Sequence, residues 1–428
     1  MSRLPPAGTG IQVSPGRLLP LWVTGTFFAV GLAAFAIIPV LLWGARGALA
    51  SAAVRHWEIV TIVHFYAVGW ALAVALGAWQ QLAVVAFKAE ASPYTPLAGA
   101  SLILYLPGFL LFWTGFARVI PSALAWGGGL LVLAFGAMTW ATLGVLRSGK
   151  RRSLMVFFAL PALICLVAVA AVGIVLAVNM MTGRFAGHWL ELFRSHLYLG
   201  PVGWFGMLVP GVSYELGPFF GITRAGSEKG RGRLFKLVAA LLGGGLLLGL
   251  AGALSGRFHP LMLAPLALGY LLFCIDLRGI YGPRPAFRRT PVLTGVRFGH
   301  AYLAALALVL LAVAAGAPLF ADQRWIATFG WLAAAGWLAN TVAAYLHRIL
   351  PFLLWHHRYW GKPKEEIKTP FAAMVDPKLG RAGFAVYNAG VLLVAASFWA
   401  PAMVSAGVAA VALGTWMLVF NLGRAYLR

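Results

Sequence analysis

HFYAVGWALAVALGAWQQL, residues 64–82, is the stretch from which the reading of this chain starts. It is an apolar run of helix length with a histidine at its head, then Gly69-Trp70, Gly77 and the pair Gln80-Gln81. Much of it returns 134 residues later as HLYLGPVGWFGMLVPGVSYEL, with Gly203-Trp204, Gly211 and Leu216 in register with Gly69-Trp70, Gly77 and Leu82. A weaker copy follows after another 133 residues: Gly336-Trp337 answers Gly203-Trp204, Ile349 answers Leu216, and Pro351 answers Pro218. One Gly-Trp pair carries nothing. Three in register with a shared tail point to a three-fold internal repeat.

Composition sets the class. The chain has 428 residues, of which 61% are hydrophobic and 10% charged, and its mean hydropathy is +0.87. A soluble domain carries about 25% charged residues. Apolar runs of about 20 residues, each enough to cross a bilayer, recur along the chain. The expectation is an all-α polytopic membrane protein, one transmembrane domain over 1–428. It has twelve spans near 19–43, 58–85, 96–117, 123–146, 153–179, 190–216, 234–254, 260–279, 298–319, 324–349, 383–400 and 402–423. The repeat makes these three four-helix units around the core helices at 58–85, 190–216 and 324–349. The first run lacks a small-residue cleavage site and reads as a retained span. Cys165 and Cys274 both sit in apolar runs, with no C-x-x-C-H for covalent haem attachment.

The net charge of +23 invites a nucleic-acid reading, which its distribution removes. With the N-terminus inside, only Arg46, Arg55, Arg118, Arg184, Arg194, Arg257 and Arg324 of the 33 Lys and Arg fall outside. That is a positive-inside pattern for a plasma-membrane protein with both termini cytoplasmic. The basic loops, including Lys150-Arg151-Arg152, Arg224 to Lys236 and Arg284 to Arg289, then face anionic lipid head groups.

This topology gives each histidine a depth. His64 and His196 fall in the outer halves of spans two and six, each eight residues after a His-Trp pair, His56-Trp57 and His188-Trp189. His259 joins the outer group. His300, His347, His356 and His357 form an inner group, the last two just past span ten. A histidine inside a span is a candidate proton site or metal ligand; its plainer reading is a buried, hydrogen-bonded side chain. Gly69 and Gly203 leave room either for a flat ring or for a close helix crossing. Two histidines at one depth on repeat-related helices favour cofactor ligation by His64 and His196. Glu215, near the inner end of span six, is the candidate proton relay, against a plain pairing with a loop arginine. Asn340, Thr341 and Asn388 read as interhelical hydrogen-bond formers, and Glu191 with Arg194 as an outer-rim salt bridge.

The motifs His64-Phe65-Tyr66-Ala67-Val68-Gly69-Trp70, His196 to Trp204 and Arg348-Ile349-Leu350-Pro351-Phe352-Leu353, set in twelve spans, resemble the catalytic subunit of the haem-copper oxidases and nitric oxide reductases. The resemblance implies that His64 ligates a b-type haem and His196 a second metal, copper or iron. It also implies a small gas ligand and an electron-donor subunit or small cytochrome as partners. The chain departs from that pattern. Span seven has no His-His pair, and the repeat register puts Phe329 and Trp331 where span ten should carry its histidines. His356-His357 reads as part of an interfacial aromatic belt. The expectation is therefore a haem-binding protein with an incomplete binuclear ligand set. The competing class is a secondary transporter without cofactor, which twelve Gly-rich spans also suit but which usually carries a six-plus-six repeat.

Overall fold

A computed structural model describes residues 18–90, 92–150, 155–221, 228–280 and 290–428. The basic residues Arg151, Arg152, Arg224 and Arg284 to Arg289 lie outside these described residues. Among the described residues the chain is all-α, and eleven helices are long and apolar enough to cross a membrane. In hydrocarbon every backbone N–H and C=O needs an internal partner, so apolar runs of this length close as helices. They are α1 (Leu21–Gly44), α2 (Trp57–Phe87), α3 (Thr95–Arg118), α4 (Pro121–Ser148) and α5 (Val156–Thr182). After α6 come α7 (Glu228–Leu254), α8 (Ala264–Ile280), α9 (Pro291–Ala314), α10 (Gln323–Tyr359), α11 (Pro377–Ser397) and α12 (Val404–Leu427). The run between α5 and α7, here α6, is helical from 189 to 221 without a break. Tyr426 near the end of α12 donates to the Gly25 carbonyl near the start of α1, 3.0 Å away. The start of α1 and the end of α12 therefore lie together.

Local chemistry sets the helix ends. Thr290, Asp322 and Asp376 cap α9, α10 and α11 by accepting backbone N–H groups, and proline stands at the first position of α4, α9 and α11. Two expected boundaries move. The span expected at 298–319 is α9, displaced toward the N-terminus because Thr290-Pro291 starts it. The span expected to end at 349 continues to Tyr359, so His356 and His357 lie on the last turn of α10 and not in a loop. His356 is fully buried and stacks on Trp360 at 4.5 Å, which replaces the interfacial-belt reading.

The three aligned stretches share a backbone irregularity. Each Gly-Trp pair sits in a π-helical segment: Phe65–Leu72 in α2, Tyr198–Phe205 in α6 and Leu332–Leu338 in α10. A π turn inserts one residue and shifts the hydrogen-bond pattern, leaving carbonyls that need outside donors. Tyr105 Oη on α3 donates to the Val68 carbonyl at 2.7 Å, and Tyr387 Oη on α11 donates to the Ala335 carbonyl at 3.1 Å. Trp70, Trp204 and Trp337 are all buried.

The same three helices touch one another. Tyr66 Oη on α2 donates to Ala334 O on α10 at 2.6 Å, Ser213 on α6 bonds Tyr345 on α10 at 2.5 Å, and His64 on α2 faces His196 on α6. Within the hairpins α3–α4 and α11–α12 the two helices come to near backbone contact. A Cβ at Gly127 would overlap Phe112 N, and one at Gly414 would overlap Tyr387 N. Small residues allow this approach where lipid gives no hydrophobic drive for helix association.

Candidate functional site

His64 and His196 come together. Each lies seven residues into its helix, counted from Trp57 and Trp189, about 10 Å along the axis. Their ring centroids are 6.0 Å apart with planes inclined at 26°. His64 Nδ1 lies 2.8 Å from the Val60 carbonyl, one turn back on its own helix. His196 Nδ1 lies 3.1 Å from the Val169 carbonyl on α5. A carbonyl only accepts, so both Nδ1 atoms carry the proton and both Nε2 atoms keep a free lone pair. This is the tautomer of a metal-ligating imidazole whose second nitrogen is oriented by a carbonyl.

Apolar side chains wall the pair. Phe116 stacks on His64 at 4.3 Å, and Phe112 meets it edge-on at 5.8 Å. Trp57 Nε1 donates to the Phe116 carbonyl at 2.8 Å and ties the N-terminal end of α2 to α3. On the other side Gly173, one turn past Val169, lies so close that a Cβ there would come within 3.3 Å of His196 Cε1. Val60, Val169, Gly173, Phe112 and Phe116 complete the site, and sequence reasoning missed all five. Three act through a backbone atom or a missing side chain, which no residue type announces. The two phenylalanines are indistinguishable in sequence from ordinary span residues.

The other expected site residues go elsewhere. The space over Gly69 is filled by the Phe109 ring, and that over Gly203 by Cys165, whose Sγ would lie 2.6 Å from a Cβ. Both glycines are closed packing contacts and open no slot for a flat ring. Glu215 is half-buried on α6. It stands 19 residues beyond His196, or about 28 Å along the helix, so direct proton exchange with the pair is ruled out by distance. Tyr66 and Tyr198 turn away from the rings, as their two-residue offset requires: Tyr66 bonds Ala334, and Tyr198 packs on Gly249. Trp331 Nε1 donates to Val391 O at 2.9 Å, and Phe329 packs on Phe320, so α10 adds no ligand at this level.

Asn340 and Asn388 do bond across α10 and α11, at 2.9 and 2.8 Å. Thr341 instead bonds Trp337 O within its own helix at 2.9 Å. Among the described residues the expected Glu191–Arg194 ion pair does not form; Asp322 pairs with Arg324 at 2.7 Å and His56 lies 3.9 Å from Glu58. Of the inner histidines, His300 packs against Phe273 and His347 against Phe384, while His356 and His357 meet edge-on at 6.4 Å. Among the described residues no three His, Cys, Asp or Glu side chains converge on a metal position.

No protein-family model matches the chain, and no curated protein matches it.

Proposed function

We propose that this is a haem-binding plasma-membrane protein of haem-copper-oxidase-like architecture, crossing the bilayer twelve times with both termini cytoplasmic, in which His64 and His196 hold the cofactor. The observation that carries the reading is the histidine pair: two imidazoles on repeat-related helices, both with Nδ1–H committed to a carbonyl. The two ring centroids lie 6.0 Å apart, near enough for both imidazoles to serve one bound group, and their donor chemistry would suit a b-type haem. A haem bound here supplies one-electron transfer or small-gas binding in the outer half of the membrane. The chain's own part is to orient and to exclude water. Val60 and Val169 fix the tautomers, Phe116 and Phe112 keep the His64 side apolar, and Gly173 makes room for the His196 ring.

The three π-helical Gly-Trp segments at spacings of 133 and 134 residues support a three-fold unit over the six-plus-six plan of a carrier. The partners that go with this reading are the lipid bilayer, a small gas and an electron-donor subunit or small cytochrome. Absorption spectra of oxidised and reduced protein purified from haem-replete cells test it. Wild type should show a b-type spectrum and His64→Ala should lose it. Colourless wild-type protein, or an unchanged His64→Ala spectrum, overturns the assignment.

A further inference from the structure

The Gln80-Gln81 pair is conspicuous in sequence and has no part in the histidine site. Both side chains are buried, at 6% and 1% exposure. Gln81 Oε1 accepts the Leu19 N–H at 3.1 Å and pins the segment ahead of α1 onto α2. Gln80 is different: among the described residues neither Nε2 nor Oε1 has a partner. Its side chain borders a cavity of about 20 Å³ between α2, α3 and α4, lined also by Leu19, Tyr94, Ala98, Thr142 and Val145.

The chemistry of the walls says what fits. One water needs roughly 10–15 Å³ of such space and two to four polar partners, so the volume suits one molecule. Thr142 Oγ1 donates to Met138 O at 2.9 Å and accepts from Trp79 Nε1 at 3.0 Å, which leaves it a second lone pair. Tyr94 is already committed to Gly144 O and Ser148 Oγ, both at 2.9 Å, and acts as the floor. Gln80 lies seven residues before the end of α2, about 10 Å from that end, and is 6% exposed. An amide there with nothing to bond is costly. The remaining wall atoms are neutral and too few to replace the hydration shell of a metal cation.

We propose that this cavity is a hydration site holding one ordered water that bridges the Gln80 amide to the Thr142 hydroxyl. It joins α2 to α4 at the inner side, while Gln81 joins α2 to the segment ahead of α1. The site is independent of the histidine pair and of any cofactor.

Two measurements test it on the full-length protein. A wild-type density map sharp enough to show ordered water should carry one peak within hydrogen-bonding reach of both Gln80 and Thr142 Oγ1; an empty cavity overturns the proposal. The second is a double-mutant cycle on thermal stability with Gln80→Met and Thr142→Val. No direct hydrogen bond joins the two side chains, so a bridging water makes the two Tm shifts non-additive. Additive shifts overturn the bridge even where each variant folds normally.

Discussion

Replacing Asn340 by leucine should destabilise the protein more than replacing Asn340 and Asn388 together. Asn340 is 0% and Asn388 2% exposed. Each amide donates to the other's oxygen, at 2.9 and 2.8 Å, and each spends its second N–H on its own helix, on Gly336 O and Phe384 O, both at 2.7 Å. Leucine repeats the branched four-atom shape of asparagine but is larger, so Asn340→Leu creates no cavity and adds some crowding. It deletes both interhelical bonds and leaves Asn388 with an unsatisfied oxygen and N–H. Interhelical bonds within membranes average about 0.6 kcal/mol and reach about 1.7. Two of them give a cost of about 1–3 kcal/mol, the upper end applying where no water reaches the orphaned amide. Asn340 also closes the π segment through Gly336 O, which pushes the value upward. In the double leucine variant both orphans vanish and the cost should fall below that of Asn340→Leu alone. The assay is reversible unfolding in mixed micelles of wild type, both single variants and the double. A double variant as costly as the sum of the singles would refute the reciprocal pair.

Gly173→Val should disturb the histidine site without touching the fold, because its Cβ and methyls press on His196 Cε1. Cofactor affinity should fall about 10–100-fold, the usual scale for a group that orients a ligand, with thermal stability of the apo-protein nearly unchanged; unchanged affinity would place the cofactor elsewhere. Gly127→Val should separate α3 from α4, since a Cβ there already lies 2.7 Å from Phe112 Cα. Overpacking costs about 1–3 kcal/mol, and the displaced Phe112 should also broaden the His64 signal in NMR of histidine-labelled protein. Reporter fusions near Arg151 and Lys229 should both read cytoplasmic, and periplasmic readings would reverse the topology. At the outer rim, hydrogen bonds from Arg324 hold the Asp322 carboxyl below its ordinary range. The stability this adds is present above about pH 3.9, the unfolded value, and is lost as pH falls through the lower folded value. Asp322→Asn, which keeps the cap, should flatten that acid-side slope in a Tm-against-pH series.

What the sequence determined by itself is what depends on nearest neighbours along the chain. Apolar runs of bilayer length become helices because no other partner exists for their backbone, and Thr290, Asp322 and Asp376 start helices because their side chains reach N–H groups two or three residues on. The recurrence of Gly-Trp at a fixed interval marked the three helices that lie at the centre, and residue type alone marked Asn340 and Asn388 as bond formers. The start of α9 was also legible, in Thr290-Pro291, but the hydrophobic profile outweighed it. Other features were decided only in three dimensions. That His196 faces His64 depends on how α2 and α6 are rotated about their axes, and a π turn shifts the rotation of everything beyond it. Whether Gly69 and Gly203 open a slot or are filled depends on Phe109 and Cys165, each from the neighbouring helix, and on how that helix is rotated about its axis. The tautomer of His196 is set by a carbonyl on α5, 27 residues away in the chain. A backbone oxygen is the same in every residue, so no sequence signal could have named Val169.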